Sequence, residues 1–306
     1  MQLLKRQRIN PIYGKKKIKK SSIFVLLMLL YPVLQFLIMW LFVNINSILL
    51  SFKTMVRGEL QFVKIDNLFA NFANFFDSLK QDKVKEMLLA SSAYLVVSCF
   101  VTLPISLIFS YFIFKKIAGA GFFKAIFYLP SILPLVVLTL VYKLTLSKDG
   151  LLGPLFNSLG VSGLFVGDSA KWMVWLFCIW AGIGYDVILL TSGMSRIPKE
   201  ILESCKMDGI PPIKEFIKIV IPLTWPTITT LFIFGMMSVF NVYLQPFFLT
   251  SGQYQTMTIG LKIYQESGGA ALNSPATLGL VCSLIGAPII CSVRYGLNKM
   301  YGDVSF

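Results

Sequence analysis

The spacing of charged side chains constrains this chain more than any other feature. Positions 21–52, 87–114, 125–142, 219–261 and 267–293 carry no Asp, Glu, Lys or Arg, and a sixth interval, 172–195, is interrupted by Asp186 alone. A helix needs about 20 predominantly apolar residues to cross the hydrocarbon layer of a bilayer, and each interval supplies that length or close to it. The runs are continuous rather than alternately apolar and polar, so they read as helices and not as barrel strands. Composition agrees: 56% of the 306 residues are hydrophobic and the mean hydropathy is +0.74, too apolar for a surface that must stay wet. The sequence predicts an all-α integral membrane protein with six transmembrane helices, over 23–43, 88–114, 125–146, 172–194, 223–249 and 276–294. The first run follows a basic region, as a signal peptide does. It is too long for a signal core and ends in no small-residue cleavage site, so it reads as a retained span.

The net charge of +14 suggests nucleic acid until its placement is considered. With the N-terminus inside, the inner segments hold 18 Lys and Arg: eight before the first span, three at 115–124, five at 196–218 and two at the C-terminal end. The outer segments hold ten, six of them in the 53–86 stretch beside five acids. This is the positive-inside bias, and it places both termini in the cytoplasm of a multi-pass protein. The tail KRQRINPIYGKKKIKK then faces anionic lipid headgroups, with no nucleic-acid partner required. The expected organisation is a basic tail at 1–22, one membrane domain at 23–294 and a short cytoplasmic tail at 295–306.

Outside the spans, DNLFANFANFFDSLKQDKVKEML in the 44–87 segment has aromatic residues at helical spacing and predicts an amphipathic helix near the outer surface. SKDGLLGPLFNSLG in 147–171 reads as a Gly/Pro turn and a short amphipathic piece, and 250–275 as a polar, flexible loop. Prolines punctuate the spans. Pro130 and Pro134, in YLPSILP, read as packing features of one helix, whereas broken helices around a path are the other use of such prolines. Cys99, Cys178, Cys282 and Cys291 lie in apolar runs and Cys205 in an inner loop, so no disulfide framework is implied. The chain has no histidine, the commonest metal ligand and general base. With no facing carboxylate pairs either, nothing in it predicts a catalytic or metal site.

The inner segment 196–222 is polar and mixed in charge between two apolar spans. Pro198 suits a helix start, since its missing donor would be orphaned there anyway. Glu200 and Glu203 sit where the helix dipole favours negative charge, and Ile201 and Cys205 share a face. Gly209 permits a sharp reversal. Pro211 and Pro212 open a second helix with Phe216, Ile217 and Val220 as its apolar face, and Pro222 leads into the fifth span. From local pattern alone, this could equally be two short helices lying on the membrane.

The spacing Glu203-Ser204-Cys205, Asp208-Gly209, Ile219, Ile221-Pro222 resembles the EAA loop of bacterial ABC-importer permeases, EAA-x3-G-x9-I-x-LP. Ser204 and Cys205 replace the alanines, and Ile210 replaces the small residue after Gly. The resemblance implies that Glu203, Ser204, Cys205, Asp208, Gly209, Ile219 and Pro222 form a cytoplasmic loop coupled to an ATPase. Several stretches are similar to the larger permease subunit of maltose-type carbohydrate importers: KKIAGAGFFKAIFYLPSILPLVVLTLVYKL with DGLLGPLFNSLG, Trp180 to Gly193 with IPKEILE, and FLTSGQYQTMTIGLKIY. In the last, Thr250, Gly252, Thr256 or Thr258, and Tyr264 fit, while Gln253 and Tyr254 replace glycine and proline. The implied partners are a second permease as heterodimer, two ATPase subunits and an external substrate-binding lipoprotein, in a bacterial cytoplasmic membrane. The implied cargo is a sugar or oligosaccharide. This chain lacks G-x-x-x-x-G-K-[ST] and so has no P-loop. It is read as a non-enzymatic permease subunit, with ATP and magnesium belonging to the partner ATPases.

A sugar path needs hydrogen-bonding groups and apolar ring faces. Asn241 and Gln245, four apart, are expected to share a helix face beside Pro246, with Ser238 extending the stripe and Tyr243 and Tyr264 nearby. Hydrogen bonding between helices is the alternative use of these groups. Asp186 is costly inside a span; a water-facing or subunit-interface position is expected of it. Two other readings remain: the same architecture serving glycerol phosphate, an amino acid or a polyamine, and a proton-coupled carrier using Asp186.

Overall fold

The computed structural model describes residues 20–158 and 163–301. The basic tail through residue 19, the end of the 147–171 turn segment at 159–162 and the last five residues of the C-terminal tail lie outside it. Two compact units are present, residues 1–49 and 50–306. The described part of the first is helical from Lys20; its candidate span, α1, is Phe24–Ser51 and contains a π-helical stretch, Phe36–Phe42.

The second unit begins with a hairpin that the sequence reading did not foresee. Strands β1 (Lys53–Val56) and β2 (Glu59–Phe62) pair antiparallel, Val56 opposite Glu59. Arg57 and Gly58 both have positive φ, the requirement of the two-residue turn whose twist matches its strands. The expected amphipathic helix follows as α2, Ala70–Ser78. Asn71 holds it to the hairpin, donating through Nδ2 to the carbonyls of Ser51 and Lys53, both at 2.7 Å.

Four helices in the described residues are long and apolar enough to cross a membrane singly, and two bent pairs bring the number to six. Besides α1, the single spans are α3 (Asp82–Phe114), α7 (Ser169–Met194) and α13 (Asn273–Tyr301). α3 widens to π-helix at Val97–Thr102 just before Pro104. Thr102 donates its hydroxyl to the carbonyl of Val97 there, at 3.1 Å.

The bent pairs correct two expectations. The predicted span 125–146 is two helices, α4 (Ala120–Ile132) and α5 (Leu135–Leu146), at 109° to each other. Pro130 lies within α4 and Pro134 at the break, preceded by Leu133 in extended conformation, φ −79 and ψ 143. The ring of a proline disfavours helical geometry in the residue before it. Pro134 is therefore the helix-breaking proline of the two, not a packing feature of a continuous helix. The predicted fifth span 223–249 is likewise divided. α9 (Pro212–Leu223) meets α10 (Trp225–Asn241) at 76°, and α10 ends before Val242, short α11 (Leu244–Thr250) resuming after Tyr243.

The short elements are α6 (Gly153–Ser158), α8 (Lys199–Met207) and α12 (Ile259–Ser267). α12 falls in 250–275, expected to be a flexible loop, and a threonine cap starts it: Thr258 Oγ1 accepts from the Leu261 amide.

α7 is the centre of the second unit, with α3 and α4 packed along it. Val174, Phe177, Val187, Leu190 and Met194 on α7 are fully buried. α10 packs on α3 and α13, and α11 on α5 and α7. Tyr94, Leu138, Val174, Phe177 and Leu249 form one core cluster; Tyr111, Met194, Ile197 and Val220 form another at the opposite end of α3. This second cluster is the root of the 196–222 loop.

Candidate functional site

The 196–222 segment folds as helix, turn, helix, as its residue order predicts. Pro198 N-caps α8 in extended geometry, and Glu200 sits in the first turn. The helix closes in a Schellman arrangement: the Ile210 amide donates to the Cys205 carbonyl at 3.0 Å and the Gly209 amide to the Lys206 carbonyl at 3.2 Å. Such a turn needs a left-handed residue, and Gly209 supplies it at φ +65. A Cβ built on Gly209 has no atom of the described residues within 4 Å. Among these residues the backbone angle, and not close packing, selects glycine.

Burial divides α8 into two faces. Cys205 is 4% exposed, whereas Met207 is 89% exposed at the helix tip. Glu203, Ser204, Lys206, Asp208 and Gly209 are exposed beside it. Cys205, expected among the coupling residues, is thus turned into its own chain, and Met207, which the sequence reading passed over, is the prominent apolar side chain of the outward face. On α9 the expected apolar face also shifts. Val220 is fully buried and Phe216 half-buried, but Ile217 is 55% exposed. Ile219 and Pro222 are half-buried.

The buried face of α9 carries an acid. Glu215 is 3% exposed, and Lys115, at the end of α3, places Nζ 2.6 Å from its Oε1 and donates to its Oε2 at 2.8 Å. One turn earlier on α3, the Tyr111 hydroxyl donates to the Pro212 carbonyl at 3.1 Å. The Tyr111 ring packs 4.7 Å from that of Phe216, and Lys115 Nζ lies 5.8 Å from the Tyr111 ring centre. In the sequence, Lys115 is one of the inner positive charges and nothing more. Its partner is 100 residues away and no local pattern marks the pair.

At the other predicted site, the break between α10 and α11 separates Asn241 from Gln245, so the two do not share a helix face as expected. The backbone leaves helical geometry at Val242 and Tyr243, which frees polar groups that a membrane interior cannot hydrate. Thr258 meets one of these needs, donating Oγ1 to the Val242 carbonyl at 2.6 Å while capping α12. The α12 start is fastened to α3 as well: the Ile259 amide donates to Ser91 Oγ at 2.8 Å. Gly260 lies so near the break that a Cβ there would come within 2.5 Å of the Phe240 carbonyl oxygen.

Tyr243 and Tyr264 do come together, ring centres 5.2 Å apart, and Phe247 adds a third ring 5.4 Å from Tyr264. Asn241 and Tyr264 are exposed, while Ser238, Tyr243 and Gln245 are half-buried. Ser238 donates to the Gly235 carbonyl at 2.6 Å. Thr250 and Thr256 form a buried hydroxyl pair at 2.5 Å, so these members of the resemblance hold the turn together. Asp186 is half-buried on α7.

A cavity of about 640 Å³ lies near the far end of α3 from Lys115, among α2, the start of α3, the 252–257 turn, α12 and the start of α13. Amide side chains line it, Asn71, Asn74, Gln255 and Asn273 among them, together with Phe75 and Tyr254. Ser238, Asn241, Tyr243, Gln245 and Tyr264 are not part of its wall.

Three likenesses bear on this arrangement. A probable ABC transporter permease protein of Mycoplasma pneumoniae is 28% identical over 187 residues, covering 58% of this chain and 55% of that protein. The arabinooligosaccharides transport system permease protein AraP of Bacillus subtilis is 22% identical over 265 residues, covering 83% and 82%. The chain spans about half the length of some of the curated relatives it matches. In fold it is similar to a chain of a bacterial ABC transporter involved in the import of the acidic polysaccharide alginate, with a TM-score of 0.76, 18% identity and coverage of 92% of this chain and 97% of that one. The model of the family described as binding-protein-dependent transport system inner membrane component matches residues 87–295, from the first turns of α3 into the last third of α13. With well over half of its residues inside that match, the chain belongs to this family of transport-system membrane components.

Proposed function

We propose that this chain is the transmembrane subunit of an ATP-driven ABC importer that translocates a sugar or oligosaccharide delivered by an external binding protein. The observation that carries the reading is the 196–222 loop. Its helix α8 presents an exposed tip at Met207, closes at a left-handed Gly209, and is rooted through Ile197 and Val220 in a core shared with α3 and α7. A lever needs those parts: a face for a partner, a fixed turn and a rigid base. ATP and magnesium belong to two partner ATPase subunits, a second permease completes the path, and a lipoprotein outside presents the cargo. Both termini face the cytoplasm, as the inner excess of Lys and Arg supports.

A carbohydrate cargo is supported by the rings of Tyr243, Phe247 and Tyr264 at a broken helix, with Asn241 and Gln245 beside it. Ring faces and amides together match the apolar faces and hydroxyls of a sugar. The named cargoes of its relatives, arabinooligosaccharides and alginate, are of the same class. The test is uptake into proteoliposomes holding the complex purified through this chain, with the sugar retained by its co-expressed binding protein as cargo. Uptake should require internal or external ATP on the loop side. Uptake by this chain alone, driven by a proton gradient and abolished by Asp186→Asn, would replace the importer with a carrier.

A further inference from the structure

We propose that Lys115 and Glu215, with Tyr111, form a strut that transmits movement of the 196–222 loop to α3. This rests on the importer reading above, and it names a route that the loop's own sequence does not contain. α8 is tied covalently to two elements, α7 through Ile197 and Pro198, and α9 through the Gly209 turn. α3 has no covalent link to the loop. It nevertheless runs through the centre of the packing, against α7 and α10, and its end carries the three side-chain attachments to α9 and its first residue.

These attachments differ in chemistry but converge on one short stretch, Pro212 to Phe216. Lys115 approaches both carboxylate oxygens of Glu215 at 2.6 and 2.8 Å. The Tyr111 hydroxyl takes the Pro212 carbonyl at 3.1 Å, an oxygen in the first turn of α9. The Tyr111 and Phe216 rings add a third contact, with centres 4.7 Å apart.

Burial makes this attachment directional and stiff. Glu215 has 4% of its side chain exposed and Lys115 25%. Water screens such a pair much less than a surface pair, and separating it strands a buried charge. The ring contact and the hydroxyl bond resist sliding, which an ion pair alone would tolerate. When α9 moves, the end of α3 is obliged to follow. On the neighbouring face of the same helix, Ile213 and Ile217 are exposed. A loop that only rested on the membrane would have no use for a buried acid matched to a lysine 100 residues away. Lys115, Glu215 and Tyr111 are positioning residues: they touch neither cargo nor nucleotide.

The test uses the whole complex, purified through this chain and reconstituted with its binding protein, and reads two quantities. One is the yield of assembled complex; the other is solute moved per ATP hydrolysed within the assembled fraction. Glu215→Gln and Lys115→Met should lower the second by about tenfold, within the usual range of coupling between sites, while ATP hydrolysis continues. Tyr111→Phe should lower it less. The exchange Lys115→Glu with Glu215→Lys should recover most of the ratio. A purely structural pair would lower yield and thermal stability and leave the ratio of the surviving complex at the wild-type value, which would overturn the strut. So would an unchanged ratio in Tyr111→Phe together with Glu215→Gln. Absence of any ATPase from the wild-type preparation would instead remove the importer reading itself, so the two failures are distinct.

Discussion

Replacing Gly209 by Asn, Ala and Val separates the two reasons a glycine can be needed at a helix end. Its φ of +65 is left-handed, which costs an ordinary L-residue about 1–2 kcal/mol. Among the described residues nothing lies within 4 Å of a Cβ built there, so no steric contribution from them adds to it. Asn visits the left-handed region with little penalty, Ala bears the ordinary cost, and a β-branched side chain is worse still. A loss of about 1–2 kcal/mol lowers the population of the closed turn by roughly 5–30-fold relative to the frayed one. The hydrogen bonds from Ile210 to Cys205 and from Gly209 to Lys206 would open first. In the reconstituted complex, solute moved per ATP should therefore fall in the order Asn, Ala, Val, with Asn close to wild type. The spans should remain inserted in all three. If Asn is as damaging as Val, side-chain volume against another subunit sets the requirement, and the backbone argument is refuted.

Four further outcomes follow from the geometry. Gly260→Ala should impair uptake strongly, because its Cβ would sit 2.5 Å from the Phe240 carbonyl oxygen and push α12 off the break; wild-type uptake would show that the break yields. Thr258→Val, which removes both the α12 cap and the donor to Val242, should lower the thermal stability of the purified complex by about 1–2 kcal/mol, and Thr258→Ser should restore most of it. Asn241→Ala and Tyr264→Ala should reduce uptake while the complex still assembles; loss of assembly would make them packing groups. A cysteine introduced at Asn67 should react with an impermeant reagent in intact cells and one at Lys206 should not, and the reverse pattern would invert the topology.

The spans were legible because a bilayer imposes one requirement on sequence, a long run with little or no charge, and the chain meets it at each helical span or bent pair, with Asp186 the interruption in α7. The Gly209 turn was legible for a comparable reason: few residues adopt its φ, so the local sequence is decisive. The breaks were not. Pro130 and Pro134 sit in nearly repeated surroundings, YLP and ILP, yet one is inside α4 and the other ends it. Which proline bends the chain is settled by how α4 and α5 pack on α7 and α11. The separation of Asn241 from Gln245 is a similar case, since the break between them depends on Thr258 and Gly260, sixteen or more residues further on. Glu215 and Lys115 were visible as charges, but a pairing across 100 residues leaves no local trace. The hairpin at 53–62 was missed because its Arg-Gly turn lacks the usual Asn-Gly or Asp-Gly signal.

What α8 touches decides whether the loop couples to an ATPase. Met207, 89% exposed at the tip of that helix, is the position to probe, and Cys205, turned inward, is not. Met207→Cys, placed in the full complex with a photoactivatable thiol reagent and analysed by mass spectrometry, should cross-link to a peptide of a co-purifying ATPase subunit, and the yield should change when ATP is added. Cross-links confined to lipid or to this chain itself, with a complex that still transports, would contradict the coupling role of the loop.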